Sequence, residues 1–232
     1  MSKQKTMQSI GIVDYNMGNL ASVINAFEKS GADVRLESDP DRLQQYEKLI
    51  LPGVGAFGDA MDHLKSNGID EAVIAFAKSG KPLLGICLGM QLLFESSEEF
   101  GTHKGLGLIP GKVVAFDENK FDHPLKVPHM GWNEMFTMGL TSDDNASALS
   151  SAGLIPSDPS KSKLFAGLPN DFYLYFVHSY HAVCDDAYAI GKTHYGYEFV
   201  SAVQNGNIYG IQPPPEKSHE NGLKIIENFT KL

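Results

Sequence analysis

The segment Gly85-Ile86-Cys87-Leu88-Gly89 places a thiol between two glycines, where the apolar run KPLLGI ends and LGMQLLFESSEE begins. A strand, a tight turn and a helix in that order form a nucleophile elbow, here with cysteine in the place of serine. The helix N-terminus should favour thiolate over thiol, and the N–H of Leu88 would point towards an oxyanion. A buried structural cysteine is the alternative interpretation of the same pattern.

A second glycine-rich turn supports a nucleophilic site. Pro52-Gly53-Val54-Gly55 follows the apolar run KLIL, as the elbow follows KPLLGI. Such a turn exposes backbone N–H groups that suit an oxyanion hole, although a simple turn before a helix explains the same residues. The elbow helix is expected to run through LGMQLLFESSEE, which would put Gln91 and Glu95 one turn apart on one helix face.

The elements that must position these groups alternate along the first third of the chain. SIGIVDY, ADVRLES, YEKLILPG and KPLLGIC have the pattern of buried strands, and helical patterns separate them. This alternation predicts an α/β fold with a flavodoxin-like, mostly parallel central sheet and helices on both faces. Ligands of such sheets bind at the carboxyl ends of the strands, where both glycine-rich turns lie.

The second half of the chain changes character. GLGLIPGKVVAFD, YLYFVHSYHAV, YAIGKTHYG, EFVSAVQNG and NIYGIQ follow one another as strand patterns with glycine-rich turns, which predicts a partly antiparallel extension of the sheet. Residues 137–163 hold seven serines and little periodicity, and are expected to form a mobile surface loop. HENGLKIIENF predicts an amphipathic helix at the end of the chain.

Bulk composition excludes several classes of function. The chain has 232 residues, 42% of them hydrophobic and 20% charged, and a formal net charge of −9, which fits one globular domain over residues 1–232 and disfavours nucleic acid as a partner. No long apolar run or signal peptide is evident, and there are two cysteines, so we expect a cytoplasmic protein with reduced thiols, without membrane contact. The histidines lack metal-ligand spacing, and neither a metal nor a cofactor is expected.

Five motifs occur in the order and spacing of a known family. ILPGVGAF, LLGICLGMQLLFE, VPHMGWN, YFVHSY and GIQ…PEKS together resemble the class I (triad) glutamine amidotransferases. DYNMGNL and HMGWN are most similar to the subfamily of glutaminase subunits of imidazole glycerol phosphate synthase, in histidine biosynthesis. The resemblance covers residues 9–231 apart from the serine-rich stretch. It implies an amidotransferase that hydrolyses glutamine as one half of a lyase heterodimer.

The resemblance also assigns roles to individual residues of the catalytic centre. Cys87 matches the nucleophile that forms a glutamyl thioester. Gly53 and Val54 match the oxyanion strand, and the N–H of Leu88 matches the other oxyanion donor. Glu216 matches the acid that orients a catalytic histidine.

Substrate and partner contacts follow from the same resemblance. Gln91, Ser179 and Tyr180 match positions that hold the substrate glutamine. The implied partner is a (β/α)8-barrel cyclase, which would receive ammonia through the interface. The positions that match its contact surface are Asn16, Met17, Gly18, Asn19, Met130 and Trp132.

The chain departs from the family at the catalytic histidine. The family pattern Gln-Phe-His-Pro-Glu-Lys-Ser reads here Gln212-Pro213-Pro214-Pro215-Glu216-Lys217-Ser218, so Pro214 occupies the histidine position. A proline cannot take the proton of Cys87 or deliver one to leaving ammonia. Three interpretations are open: an inactivated glutaminase, a substitute histidine, or an error in the recorded sequence. The candidate substitutes nearest in sequence are His178, His181 and His219.

Three functions fit these residues. The chain is expected to be a glutaminase subunit of this family with impaired activity. Alternatively, it is a pseudoglutaminase that binds the cyclase while the cyclase uses ammonium, or the amidotransferase partner in a sugar-amidination pathway.

Overall fold

The first four strands form the parallel half of the sheet, which begins at Ser9. The computed structural model describes residues 9–138 and 162–232. Strand β1 lies between β2 and β3, and β3 pairs with β4, all in parallel. These four strands are Ser9–Val13, Asp33–Glu37, Lys48–Leu51 and Leu83–Ile86. They confirm the four strands expected from the first third of the chain.

Helices cover both faces of this sheet. Helices α1 and α5 pack on one face through residues such as Phe27 and Phe229, and α2 and α3 pack on the other through Leu64 and Phe76. Their bounds are Leu20–Lys29 (α1), Phe57–Ser66 (α2), Ile69–Lys78 (α3) and His219–Lys231 (α5). Apolar residues recur at helical spacing on the covered side of each helix, which is why these segments fold as amphipathic helices.

Strand β13 joins the parallel half to an antiparallel half. It runs parallel to β4 and antiparallel to β12, and the path continues through β10 and β7 to β5 and β6. A branch leaves β12 through β11, β8 and β9. Their bounds are Phe94–Ser97 (β5), His103–Lys104 (β6), Ile109–Ala115 (β7), His129–Thr137 (β8), Asp171–His178 (β9), Tyr180–Val183 (β10), Ala189–His194 (β11), Glu198–Asn205 (β12) and Ile208–Ile211 (β13). The expected flavodoxin-like α/β fold with an antiparallel extension is confirmed.

The expected elbow helix is wrong beyond Leu92. Helix α4 spans only Leu88–Leu92, and the chain then enters β5, which pairs in parallel with β7. The carbonyls of Leu92 and Leu93, which a longer helix would use internally, accept hydrogen bonds from the backbone N–H groups of Leu106 and Leu108. Tertiary pairing therefore ends the helix that periodicity alone would continue.

Most of the loop expected at 137–163 lies outside the described residues. Thr137 is the last residue of β8, and the described chain resumes before a short 3-10 turn at Lys163–Phe165. The single domain over residues 1–232 stays a prediction.

Candidate active site

Cys87 sits at a strained turn between β4 and α4. Its backbone has φ 55° and ψ −116°, a combination that is unusual for a residue with a side chain. The N–H of Cys87 donates to the carbonyl of Ile211 at 2.8 Å, which anchors the turn to β13. A Cβ on Gly89 would lie 1.8 Å from the carbonyl oxygen of Leu51, so only glycine lets α4 start this close to the end of β3. These contacts form the nucleophile elbow that the sequence predicts.

The turn after β3 lies directly against the elbow. A Cβ on Gly53 would lie 2.5 Å from the hydroxyl oxygen of Tyr15 and 3.1 Å from the backbone nitrogen of Gly89. The Tyr15 hydroxyl donates to the carbonyl of Pro52 at 2.7 Å and is itself buried. Val54 is half exposed beside them. The residues expected to form an oxyanion strand are therefore next to the candidate nucleophile, and the sequence analysis missed Tyr15, which holds them.

The electrostatics of the thiol differ from the sequence-based expectation. The protein packed around the sulfur raises the pKa of Cys87 to about 11, and the negative charge of Glu216 also raises it. The backbone N–H of Leu88, the charge of Lys217 and the amide of Gln212 lower it. Burial is the largest of these effects and outweighs the groups that lower the pKa. The expected preference for thiolate is wrong for the chain as it stands.

The side chains of Gln91 and Glu95 lie in different environments. Gln91 is buried, and its side-chain amide donates to the carbonyl of Tyr180 at 3.1 Å and to Gln212 Oε1 at 2.9 Å. Glu95 lies in β5 and is exposed, with Oε2 accepting from the N–H of Gly111 at 2.9 Å. The expectation that Gln91 and Glu95 share one helix face is wrong, because the helix ends between them.

Two further expected substrate residues are next to this amide. Ser179 links β9 to β10 and its carbonyl accepts from the N–H of Phe116 at 3.3 Å. Tyr180, the first residue of β10, is partly exposed, and its ring meets the exposed Phe100 edge-on at 6.4 Å between centroids. Of these groups, the carbonyl of Tyr180 contacts the Gln91 amide directly.

The triple proline leaves β13 next to the elbow. Pro214 is buried, and its carbonyl accepts from the Ser218 hydroxyl at 2.9 Å and the Lys217 N–H at 3.1 Å. Pro215–Lys217 forms a short 3-10 turn that leads into α5. Glu216 projects an Oε2 atom that is buried and has no hydrogen-bond partner among the described residues. Burial raises the pKa of the Glu216 carboxyl.

The three candidate substitute histidines bind elsewhere. His178 Nδ1 contacts the Tyr180 carbonyl at 2.8 Å, and its Nε2 contacts His129 Nδ1 at 3.2 Å. His181 Nε2 contacts the Tyr197 hydroxyl at 2.8 Å, and His219 stacks on Trp132 at 5.0 Å between ring centroids. None of them is among the groups that shift the pKa of the thiol, which disfavours the substitute-histidine interpretation.

The residues expected to face a partner lie on exposed surfaces. Met130 and Trp132 are 61% and 47% exposed on β8. Asn16 and Asn19 are exposed in the turn before α1, with Met17 and Gly18 partly exposed between them. The aromatic surface extends to residues that the sequence analysis missed, namely Phe136 on β8 and Tyr173 and Tyr175 on β9, in register with Trp132 and its neighbours. Their alternation along two paired strands is the signal that could have revealed them.

The sequence led us to expect neither a membrane-spanning helix nor a metal site, and the structure describes residues 9–138 and 162–232. In that part of the chain no helix is both long and apolar enough to cross a membrane. Within the same residues, no three His, Cys, Asp or Glu side chains are grouped so that they could hold a metal ion.

Comparisons with known proteins agree with this geometry. The family model of class-I glutamine amidotransferases matches residues 11–232. The imidazole glycerol phosphate synthase subunit HisH of Sulfurimonas denitrificans is 63% identical over 223 residues, covering 96% of this chain and 97% of that protein. HisH of Wolinella succinogenes is 51% identical over 224 residues, covering 96% and 99%.

Solved structures share the fold at lower identity. The structure of PurLQS from Thermotoga maritima superposes with a TM-score of 0.70 at 20% identity, covering 97% of this chain and 98% of that one. A crystal structure of a glutamine amidotransferase superposes with a TM-score of 0.67 at 15% identity, covering 96% and 99%.

Proposed function

Because the chain belongs to the class-I glutamine amidotransferase family and matches HisH subunits over nearly its whole length, we propose that it is the glutaminase subunit of an imidazole glycerol phosphate synthase. It would release ammonia from glutamine and pass it to a cyclase subunit, which makes imidazole glycerol phosphate and aminoimidazole carboxamide ribotide. The strained turn that presents Cys87 beside Gly53 and Leu88 is the observation that carries the proposal.

The chemistry follows from the groups around the sulfur. The sulfur of Cys87 bonds to the side-chain carbonyl carbon of glutamine, the carbon–nitrogen bond breaks, and the thiol proton must reach the departing nitrogen to give ammonia. Water then hydrolyses the thioester to glutamate. The N–H groups of the Gly53–Val54 turn and of Leu88 would stabilise the oxyanion in both steps. Gln91 and the backbone of Ser179 and Tyr180 would hold the substrate.

We further propose that hydrolysis is impaired because no residue carries the proton. Pro214 has no ionisable side chain, and the unpartnered Oε2 of Glu216 fits an acid whose imidazole is missing. Loss of a general base costs about 10²–10⁴ in rate. A thiol whose pKa is about 11 is mostly protonated at neutral pH, which slows attack further.

The absence of an ionisable side chain at Pro214 and the raised pKa of Cys87 also favour a second candidate function. A subunit that binds the cyclase but hydrolyses glutamine poorly would leave ring closure dependent on ammonium. The sugar-amidination alternative has no observation of its own in its favour, and identification of the barrel protein that co-purifies with the chain would test it.

One assay separates the two candidates. The chain and its cyclase are combined, and ring closure is followed with either glutamine or ammonium as the nitrogen source, with Cys87→Ala as the control. Glutamine-dependent turnover that Cys87→Ala removes supports the glutaminase. Ammonium-dependent turnover with no glutamine-dependent turnover supports the binding subunit. Absence of a complex with the cyclase contradicts both.

A further inference from the structure

A continuous series of side-chain hydrogen bonds ends at the candidate nucleophile. Gln91 donates to Gln212 Oε1 at 2.9 Å, and Gln212 Nε2 contacts Cys87 Sγ at 3.9 Å. Gln212 is completely buried on the segment that follows β13. We propose that Gln212 is a positioning residue, which aims an amide N–H at the Cys87 sulfur and fixes the side chain of Gln91 beside it. This inference rests on the proposed function only in taking Cys87 as the nucleophile.

The direction of each amide follows from a group that can only accept. The carbonyl of Tyr180 faces the side-chain amide of Gln91 at 3.1 Å, so the atom facing it must be the Nε2 donor. That same nitrogen faces Gln212 at 2.9 Å, so Gln212 must present Oε1 to it. With its oxygen held there, Gln212 can present only N–H groups to the sulfur.

A buried pair of histidines supports the other side of the Tyr180 carbonyl. His178 Nδ1 lies 2.8 Å from that carbonyl and must therefore carry a proton. His178 Nε2 is then an acceptor, and His129 Nδ1–H donates a hydrogen bond to it at 3.2 Å. Burial lowers the pKa of His178 to about 3 and that of His129 to about 4, so both rings are neutral and the donor directions hold at physiological pH.

The arrangement has one chemical consequence and one limit. An N–H aimed at sulfur stabilises a thiolate more than a thiol, and so assists the nucleophile in each covalent step. An amide cannot take up the thiol proton, so Gln212 does not replace the missing imidazole. The charges of Glu216 and Lys217, after β13, also act on the pKa of Cys87. Burial, and after it the nearby Cys87, raises the pKa of Tyr15, which follows β1. No variant in the test below alters these three groups.

The test is the alkylation of Cys87 by iodoacetamide between pH 7 and 9.5, in a Cys184→Ser parent that leaves one thiol. Thiolate is the reactive species, so the rate at a fixed pH reports the thiol pKa. In Gln212→Met, loss of the donor should slow alkylation about tenfold, which corresponds to a pKa increase of about one unit. Gln212→Glu should be slower still, because a carboxylate beside the sulfur opposes its ionisation.

Matched variants separate positioning from packing. Gln204→Met removes a buried glutamine from β12 that contacts Ser162 and Gly206, and should leave the rate within twofold of the parent. A packing role predicts that Gln212→Met, which is similar in size and uncharged, alkylates like the parent, and that result overturns the proposal. If Gln212→Met does not fold by circular dichroism, Gln91→Met decides, because it releases the Gln212 amide and should slow alkylation severalfold; an unchanged rate overturns the proposal. Alkylation needs no glutamine turnover, so a failed glutaminase assay leaves this test intact.

Discussion

The backbone N–H of Cys87 donates to the carbonyl of Ile211 at 2.8 Å, which fixes the elbow and the start of the C-terminal segment side by side. Ile86 and Ile211 are also register partners in the parallel pair β4–β13. Pro214 follows Ile211 by three residues, so it leaves the sheet at the edge where the thiol is presented. Pro214, which we propose stands at the family's histidine position, therefore leaves the sheet on the side where Cys87 is presented.

Restoring the family residues should restore the reaction. We expect Pro213→Phe with Pro214→His to raise ammonia release from glutamine by at least about 10² in the presence of the cyclase, because the new imidazole can accept the thiol proton and bond to Glu216. Adding Glu216→Gln to this variant should remove most of the gain. Lack of any gain in the double variant would mean that Pro214 does not occupy the histidine position.

Glu216 should make stability depend on pH. Burial raises the pKa of the Glu216 carboxyl in the folded state above its value in the unfolded chain. The folded state is therefore destabilised relative to the unfolded chain as the pH rises from the unfolded pKa through the folded pKa. We expect Glu216→Gln to stabilise the chain by about 1 kcal/mol at pH 7 in urea unfolding, and to have little effect near pH 4. Glu220→Gln, at an exposed position in the first turn of α5, is the control and should not stabilise the chain at either pH, because a helix N-terminus favours a negative charge. Equal unfolding of the parent and Glu216→Gln at pH 7 would contradict the assignment.

Gly89 should tolerate no side chain. Its Cβ would lie 1.8 Å from the Leu51 carbonyl oxygen, so Gly89→Ala must displace either α4 or β3 and should cost about 3 kcal/mol or more. Gly31→Ala is the control, since it meets no atom within 4 Å and is penalised only by its φ of 81°, by about 1 kcal/mol. Urea unfolding measures both. A loss for Gly89→Ala no larger than that for Gly31→Ala would disprove the close approach.

The aromatic surface of β8 and β9 should dominate binding to the cyclase. Trp132 is 47% exposed and Tyr173 is 54% exposed, and a cluster of this kind is typical of binding hot spots. We expect Trp132→Ala to weaken the complex about 30-fold or more by calorimetry, and Tyr173→Ala to weaken it by a smaller factor. Val183→Ala is the control, since this exposed residue lies on β10, which pairs with β7 and β12, whereas the aromatic surface lies on the pair β8–β9. An unchanged affinity for Trp132→Ala would place the interface elsewhere.

Local pattern was sufficient for the four parallel strands, for the long amphipathic helices and for the turn at Cys87, because their signals lie within a few residues of each other. Strands β5, β6 and β8 were not predicted, and YLYFVHSYHAV, predicted as one strand, forms both β9 and β10. The role of Cys87 as nucleophile stays a prediction. The position of Pro214 could also be read without coordinates, because Gln212 and Glu216 define the register on either side.

Only the tertiary structure decided how these groups meet. Gln212 contacts Gln91 and Cys87 across 121 and 125 residues of chain, and no periodicity encodes such a distance. The end of α4, the capture of His178 by His129 and the stacking of His219 on Trp132 likewise depend on partners from remote segments. The thiol pKa follows from how tightly those segments pack around the sulfur. Residue types and spacing thus specify which groups are available, whereas hydrogen-bond direction and desolvation exist only once the chain has folded.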